Sequence, residues 1–506
     1  MVKSPLIHIC ILFSLSLSAA QAQEDTGEET FAYQFERNAL LQQNRLIGTE
    51  ASALRPERWA RSGTEVRIGY HSLEQALYDW QKGSGEKSVG FTAESYLRDA
   101  FNRTTVWGNA HYTSQKVSRL NYNASLDYDR IFPYFLADSI GGDQQMERYA
   151  FGGGLARQYK RWTFGTQLNI ESNQAFRKMD PRPKNTSSVF HLEASAAFHL
   201  PSAYTLAFAA EGTLYKQTNT LKYVSELGRP LIFNLNGLGV YNNLLTGTGR
   251  GSSTATAFFS ASSIGSSIAL VPQQKGLWLK GKFLLDKGNK QSPLSFDKTN
   301  HWTDHKIDAH AGYDGDWADF QYAMGVSWHM QWRKGREGLF TNQNAESGLI
   351  KIAEKFSYQY VADHYRAFFS LGKHQWNVNV RGAVSNIKEQ YVSPYRVQKI
   401  QNGEVGIDVQ YFWIWEKQLL SLQAGATEVF KINSDFTFRN IHPGTGLEQL
   451  LENNIHYLLQ VPFVSYAKLR WDMPSVKRWQ PYISGELMYA SAIRRKDINV
   501  KVGFVF

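Results

Sequence analysis

The densest group of titratable side chains lies between positions 301 and 310, where His301, Asp304, His305, Asp308 and His310 follow one another. Two histidines four residues apart have metal-ligand spacing on a helix, and histidine–aspartate pairs also serve hydrolases. Alternating apolar residues at 307, 309 and 311 instead predict that a loop enters a strand here. The sequence has no Gly-x-Ser-x-Gly nucleophile motif. A hydrolase is therefore only the third of three hypotheses.

A second chemical feature is the cationic segment 177–185, which two prolines stiffen. Folded into a pore, its side chains would form a constriction that attracts anions. The alternative is a surface loop that pairs with anionic lipid headgroups. The four cations of this segment are Arg177, Lys178, Arg182 and Lys184.

Both features lie within a pattern of alternating apolar and polar residues that begins near Glu65 and continues to the end of the chain. Such a period of two predicts β-strands whose faces meet different solvents. The clearest example is the segment 317–332, where the even positions from Ala318 to Trp332 are apolar or aromatic. A strand this long exceeds the ~5–6 residues of typical soluble strands and favours a tilted membrane barrel.

The connections between these strands alternate between short turns and long loops. Tight turns are predicted near 159–161, 200–202 and 416–417, and an Asp-Gly pair predicts another at Asp314–Asp316. Long segments include 218–253, 333–355 and 433–459. Short turns at one rim and long loops at the other are typical of outer-membrane barrels. We therefore predict an all-β fold, a single antiparallel transmembrane barrel of about 16–18 strands covering residues 63–506.

Charged residues on the polar faces of the strands are candidates for lining the pore. On the lipid face near the membrane centre each charge would cost about 2–4 kcal/mol, so the polar face is expected to meet water. A merely solvated wall explains them equally well. These candidate residues are Glu193, Lys280, Lys282, Asp308, Arg381 and Asp408.

The N-terminal residues differ from the rest of the chain. Residues 1–22 have the charged, apolar and small-residue regions of a secretory signal peptide. Their removal would take away Cys10 and exclude disulfides and thiolate metal sites. Residues 23–62 do not alternate, and 35–47 have the spacing of a short amphipathic helix. This segment is predicted to be either a periplasmic extension capping the rim or a plug inside the barrel.

The composition excludes some partners. The chain has 506 residues and a formal charge of +10, but the basic residues are scattered, and export argues against nucleic acid. Aromatic residues reach 14%, which fits the interfacial girdles of a membrane barrel. No cofactor is predicted. The expected partners are outer-membrane lipid and the barrel assembly machinery; a partner lipoprotein and a TonB-type transporter are further candidates.

The last strand, which alternates through Val502 and Phe504 to a terminal Phe506, resembles the closing strand of bacterial outer-membrane barrels. The run Met179–Asn185, together with this strand, is similar to an uncharacterised family of Bacteroidota outer-membrane barrels. That resemblance implies a barrel in the outer membrane of a Gram-negative bacterium but no active residues. Long-chain fatty-acid channels are a distant comparison, because their N-terminal Asn-Pro-Ala motif is absent from the comparable stretch Thr49–Leu54.

The sequence thus supports three functional hypotheses. The first is a channel or transport-associated, porin-like barrel for small solutes. The second is a non-conducting surface barrel whose long loops bind a partner or assist assembly. The third is the rim-located hydrolase described above.

Overall fold

The computed structural model describes residues 27–45, 51–224, 231–245, 254–293, 297–341, 349–373, 375–441, 443–476 and 478–506. The predicted signal peptide lies outside these residues. Eighteen strands pair with their neighbours in antiparallel register and form a closed barrel, in which the first strand also pairs with the last, Glu65 opposite Val505. The predicted transmembrane barrel and its strand number are confirmed. Within the described ranges, no helix has the length and apolarity needed to cross a membrane.

The first nine barrel strands are β1 (Gly63–Glu74), β2 (Gly85–Phe101), β3 (Thr104–Leu120), β5 (Gly142–Tyr159), β6 (Trp162–Phe176), β7 (Arg182–His199), β8 (Tyr204–Lys222), β11 (Thr254–Pro272) and β12 (Gly276–Gln291). The other nine are β13 (Lys298–Trp317), β14 (Phe320–Thr341), β15 (Ile350–Lys373), β16 (Trp376–Tyr391), β17 (Arg396–Trp415), β18 (Gln418–Phe438), β19 (Phe463–Asp472), β20 (Gln480–Ala490) and β21 (Arg495–Val505).

The remaining elements lie in the loops and at the N-terminus. Strands β4 (Phe135–Asp138), β9 (Ile232–Gly237) and β10 (Val240–Tyr241) form a separate three-stranded sheet. The helices are α1 (Gly27–Asn38), α2 (Leu40–Arg45), α3 (Arg55–Arg58), α4 (Tyr128–Ile131) and α5 (Gly446–Leu458). Single 3₁₀ turns occupy Ser52–Leu54 and Asn243–Leu245.

The two faces of the barrel wall differ in chemistry, as the alternation predicts. Large apolar side chains stand exposed on the outer face of strand after strand, where lipid would cover them. On the same strands, the intervening side chains point into the lumen and are mainly polar. Examples of the outer residues are Ile68, Phe190, Leu192, Val326, Val405 and Val502.

The loops divide between two rims. One rim carries turns as short as 102–103, 160–161 and 416–417, and both the start of β1 and the end of β21 lie there. The other rim carries the long connections 121–141, 223–253 and 439–462. We call these the lower and the upper rim. The last strand is tied in at the lower rim by two backbone bonds between Thr64 and Phe506, of 2.7 and 2.9 Å.

Two predicted connections are wrong. β13 continues through Asp314 and Gly315 to Trp317, and the chain reverses at 318–319, where Ala318 takes φ 53°. Gly315 lies opposite Tyr322, and a β-carbon there would approach the Tyr322 hydroxyl to 2.9 Å, so this glycine makes room for a ring rather than a turn. Likewise, most of 333–355 is strand, because β14 and β15 extend beyond the apolar band.

Candidate functional site

The lumen is the candidate site, and the predicted pore-lining residues all lie on its wall. Four of them are paired with side chains of other strands rather than facing water alone. Lys282 forms an ion pair of 3.0 Å with Glu211, Asp308 pairs with His329, and Arg381 pairs with Asp408. Such pairs neutralise the charges locally, so the wall presents no uniform sign. Their part in conduction remains a prediction.

Two further predicted pore residues are buried. Lys280 is 6% exposed, and its ammonium lies 4.7 Å from the centre of the Trp278 ring. Glu193 is also 6% exposed and accepts a hydrogen bond of 3.2 Å from the backbone nitrogen of Ser52 and another from its hydroxyl. The partner of Glu193 therefore comes from the N-terminal segment, which lies inside the barrel.

The N-terminal segment follows the inner wall close to the lower rim. Asn44 donates hydrogen bonds of 2.6 Å to Ser370 and 3.0 Å to Asn379. The backbone nitrogen of Leu40 donates to Gln410 at 3.0 Å, and the backbone nitrogen of Ala53 donates to Ser195 at 2.8 Å. These acceptors belong to β7, β15, β16 and β17. Of the two predicted positions for residues 23–62, the structure therefore has the described part inside the lumen.

Apolar contacts supplement these hydrogen bonds. The rings of Phe35 and Phe412 lie 4.5 Å apart, and Leu41 packs against Trp278 and Phe368. A β-carbon at Gly165 would lie 2.4 Å from the backbone nitrogen of Ala53. The absence of a side chain there therefore lets the segment approach the wall closely.

The upper half of the lumen is filled by loops that fold inward. Residues of 121–141 and of the β9–β10 hairpin form one apolar core with rings and aliphatic side chains of the barrel wall. Backbone groups away from water need hydrogen-bond partners. The small sheet β4–β9–β10 supplies them, which allows these loop residues to be buried. The core includes Ile131, Tyr134, Phe135, Leu136, Phe233 and Leu235 of the loops, and Tyr215, Phe259 and Trp302 of the wall.

Buried arginines fix these loops to the wall. Arg333 of β14 is 2% exposed and donates to the carbonyl oxygen of Phe132 at 2.5 Å and to Asp304 at 2.8 Å. Arg396 of β17 donates to the carbonyl oxygen of Leu238 at 2.6 Å. Because a guanidinium donates in several directions, one side chain can hold a loop carbonyl and a wall group together.

A cavity of about 380 Å³ remains between these loops, α5 and the wall. Aromatic rings from Tyr128, Phe132 and Tyr360 line it beside the carboxylates of Asp79 and Glu389. Its cations are already paired: Lys82 pairs at 2.9 Å with Asp129, which also lines the cavity, and Arg333 pairs with Asp304. No lysine or arginine of the described residues lies within ion-pair distance of Asp79 or Glu389. The cavity therefore combines aromatic faces with two carboxyl groups that have no ion-pair partner among the described residues, and burial raises the pKa of Glu389 to about 8.

Electrostatics at the upper rim follow from burial. Burial, together with the nearby carboxylate of Asp129, raises the pKa of Asp79, while the backbone nitrogen of Gln81 donates to it at 2.9 Å and opposes the rise. Burial also raises the pKa of Tyr128 well above its ordinary value. A cation in the cavity would favour ionised Asp79.

The structure does not bring together the four cations of the predicted constriction. β6 ends at Phe176 and β7 begins at Arg182, which leaves a turn of 177–181, too short to reach the lumen centre. Arg177 is buried and donates to Asp138 at 2.7 Å, which anchors the inward loop. The other three cations are exposed; Arg182 pairs with Asp180 at 2.8 Å, and Lys184 stands on the outer face of β7. Lys178 lies in the turn itself.

The histidine–aspartate group does not converge either. On β13 the alternation turns Asp304, Asp308 and His310 inward and His301 and His305 outward. The ring of His305 lies between those of Phe283 and Trp332 on the outer face, 6.2 and 5.8 Å away. In the part of the chain that the structure describes, no three His, Cys, Asp or Glu residues are placed to hold a metal.

Sequence reasoning missed the upper core and its cavity. The available signal was an apolar run without alternation inside a predicted loop, Ile131–Ala137, matched by Leu231–Leu235 in another. Apolar loop residues need a surface to cover them, and the lumen supplies it.

Comparisons with known proteins find only distant similarity to solved structures. The ferric preacinetobactin receptor BauA of Acinetobacter baumannii is 8% identical, with a TM-score of 0.42 over 88% of this chain and 80% of that chain. The outer membrane transporter YddB of Escherichia coli is 8% identical, with a TM-score of 0.38 over 87% and 81%. No curated protein matches the sequence. The family of unknown function DUF6850 matches residues 53–506, and the chain belongs to that family.

Proposed function

We propose that the protein is an outer-membrane barrel that admits a small solute and is closed at rest. Its wall has the apolar exterior of a membrane barrel, and its closing strand ends on Val502, Phe504 and Phe506 at the lower rim, which would be periplasmic. The assembly machinery would recognise this strand. The long loops would then face the exterior.

The observation that carries the proposal is the N-terminal segment inside the lower lumen. Its covalent connection to the barrel is the short stretch 59–62, before β1 begins. Its polar contacts, such as Asn44 with Ser370, can be exchanged for contacts with water at small net cost, since a neutral hydrogen bond contributes about 0.5–1.5 kcal/mol. It can leave the lumen without breaking the barrel.

The cavity at the upper rim is the proposed receiving site for the solute. A volume of about 380 Å³ suits a small molecule. Three aromatic rings and two carboxylates without an ion-pair partner among the described residues favour an organic cation, which such rings attract through their negative faces. Passage inward then requires the N-terminal segment to move, and a periplasmic partner of the TonB type is a candidate to move it.

A second function, binding of an external partner without conduction, is favoured by the filled upper lumen. In that case the packed loops would serve as a rigid platform, and the N-terminal segment would only stabilise the barrel. The two functions differ in whether removal of the segment opens a path.

The test is conductance in planar bilayers for the mature chain and for a variant lacking 24–62. We expect no steady current from the former and current from the latter. A reversible version introduces N44C and S370C, because Asn44 Nδ2 lies 2.6 Å from Ser370 Oγ. The oxidised pair should block any opening and the reduced pair should permit it, with single N44C as control. Silence of every form in the bilayer would refute transport and favour the binding function.

A further inference from the structure

Three buried polar residues lie side by side near the upper rim on strands β12, β13 and β14. Lys290 is directly opposite Asn300, and Asn300 is directly opposite Glu337. All three face inward and are buried, with exposures of 0%, 2% and 5%. Directly opposed residues have β-carbons about 4.5–5.5 Å apart, so a lysine side chain can reach its neighbour's amide.

The row lies above the membrane-spanning part of the wall. On the outer face of these strands the continuous series of apolar residues ends at Leu285, Ile307 and Trp332, and Leu339 is a separate exposed residue near the end of β14. Beyond them the outer face carries Lys287 and Lys334, which are exposed. The three residues are therefore buried by the folded upper loops and not by lipid.

Their hydrogen bonding is incomplete. Within the described residues, Lys290 Nζ has no acceptor and Asn300 Oδ1 has no donor. Glu337 accepts 3.0 Å from the hydroxyl of Tyr391 through Oε2, whereas Oε1 has no donor in the same part of the chain. Unpaired buried polar atoms are costly, so an arrangement with three of them calls for a chemical reason.

The surroundings favour neutral side chains. Lys290 Nζ lies 5.9 Å from the centre of the Phe259 ring, and Trp302 and Phe340 are buried nearby along the same strands. Burial lowers the pKa of the Lys290 ammonium to about 7, and the carboxylate of Glu337 opposes this only in part. Burial also raises the pKa of Glu337. An uncharged amine is a nucleophile, and a protonated carboxyl can transfer protons.

We propose that Lys290 and Asn300 form an intramolecular amide cross-link with Glu337 as the proton-transfer group. Nζ of Lys290 attacks Cγ of Asn300, the Nζ–Cγ bond forms, and the Cγ–Nδ2 bond breaks. Glu337 protonates the amide oxygen, takes a proton from Nζ and gives it to Nδ2, which leaves as ammonia; as the carbonyl re-forms, the proton on its oxygen returns to Glu337. No oxidant or cofactor is needed. The product ties β12 covalently to β13 above the membrane.

The test is mass spectrometry of the full mature barrel purified from membranes. Intact mass should be lower than the sequence mass by one ammonia, but an N-terminal glutamine such as Gln23 also loses ammonia on cyclisation, so the site must be mapped. Trypsin should fail to cut after Lys290 and should release one branched peptide that joins 288–298 to 299–306. Separate peptides 288–290, 291–298 and 299–306 would refute the cross-link.

Matched variants separate chemistry from folding. E337Q keeps the shape of the side chain and should leave the peptides unlinked, whereas K287R, on the outer face of β12, should leave the link intact. Heat-modifiable electrophoretic mobility reports folding of each barrel. A folded E337Q barrel that still carries the link would overturn the role of Glu337. Loss of water instead of ammonia, with Lys290 joined to Glu337, would overturn the role of Asn300.

Discussion

Replacing Arg333 by methionine should release the inward loop 121–141 from the wall. Arg333 lies between the carbonyl oxygen of Phe132 on the loop and Asp304 of the neighbouring strand β13, whose side chain is fully buried. Methionine keeps much of the volume but leaves the Asp304 charge without its guanidinium. The nearest remaining cation, Lys306, is 3.8 Å away and half-buried.

Breaking a buried ion pair by removing one partner costs about 3–5 kcal/mol. Since each 1.4 kcal/mol is a factor of ten, the opening equilibrium of the loop should rise by about a hundredfold to a few thousandfold, if the cost falls on the closed state. Because Lys306 offsets part of the unpaired Asp304 charge, we expect a rise of the opening equilibrium near the hundredfold end of this range. The same factor should appear in any process that requires opening.

Hydrogen exchange measures this opening directly. The backbone nitrogen of Ala124 donates to the carbonyl oxygen of Leu136 at 2.9 Å within the loop, so its exchange reports loop opening. R336M is the matched control, since Arg336 is on the same strand but exposed. The anchoring role would be refuted if hydrogen exchange at the Ala124 amide were less than tenfold faster in R333M, or if it were equally accelerated in R336M. The double variant R333M/D304N should restore slow exchange only in part, because it removes the unpaired charge but not the loss of the Arg333 hydrogen bond to Phe132.

Three further predictions concern the two ends of the lumen. G165L should expel the N-terminal segment, because a side chain there would collide with Ala53, and should raise bilayer conductance; G485L, where a β-carbon meets nothing within 4 Å, should not. Burial raises the pKa of Glu57 to about 7, against opposing effects from Thr205 and Arg98, so the docked segment binds a proton more tightly than the released one. Docking should therefore be strongest below about pH 4.5, weaken as the pH rises to about 7 and then level off. Protease sensitivity of residues 27–58 measures docking. In E57Q this sensitivity should not depend on pH. Burial raises the pKa of Glu389 to about 8, so above that pH E389Q should weaken binding of a tetramethylammonium probe at least tenfold by calorimetry, and unchanged affinity would reject the cavity as a cation site.

The wall was predictable because one physical rule governs it. Lipid outside and water inside require alternate residues to differ in polarity. The apolar residues at the even positions of 318–332 therefore predict a membrane strand from the local sequence alone. The same rule explains why the histidine–aspartate group fails as a site. On a strand, His305 and Asp308 must point to opposite faces.

The contents of the lumen were not predictable by that rule. The contact of Arg333 with Phe132 joins residues about two hundred positions apart, and no local periodicity records it. The cationic segment misled for a related reason. Four cations within eight residues suggested one charged surface. In the structure Arg177, just after β6, is buried against Asp138, and Lys184 of β7 points outward.

The structures that fill the two ends of the lumen differ in how they are attached, and the proposed opening at the lower rim follows from this difference. The upper loops are continuous with strands on both sides, share an apolar core with the wall and are held by buried arginines. Opening them would expose that core and leave charges such as Asp304 unpaired. The described part of the lower segment contains no barrel strand, and it contacts the wall through hydrogen bonds and through small apolar clusters such as that of Leu41 with Trp278. Under the proposed function, a solute held at the upper rim would meet a fixed frame above and a displaceable one below, and we therefore expect the step that governs passage to lie at the lower rim.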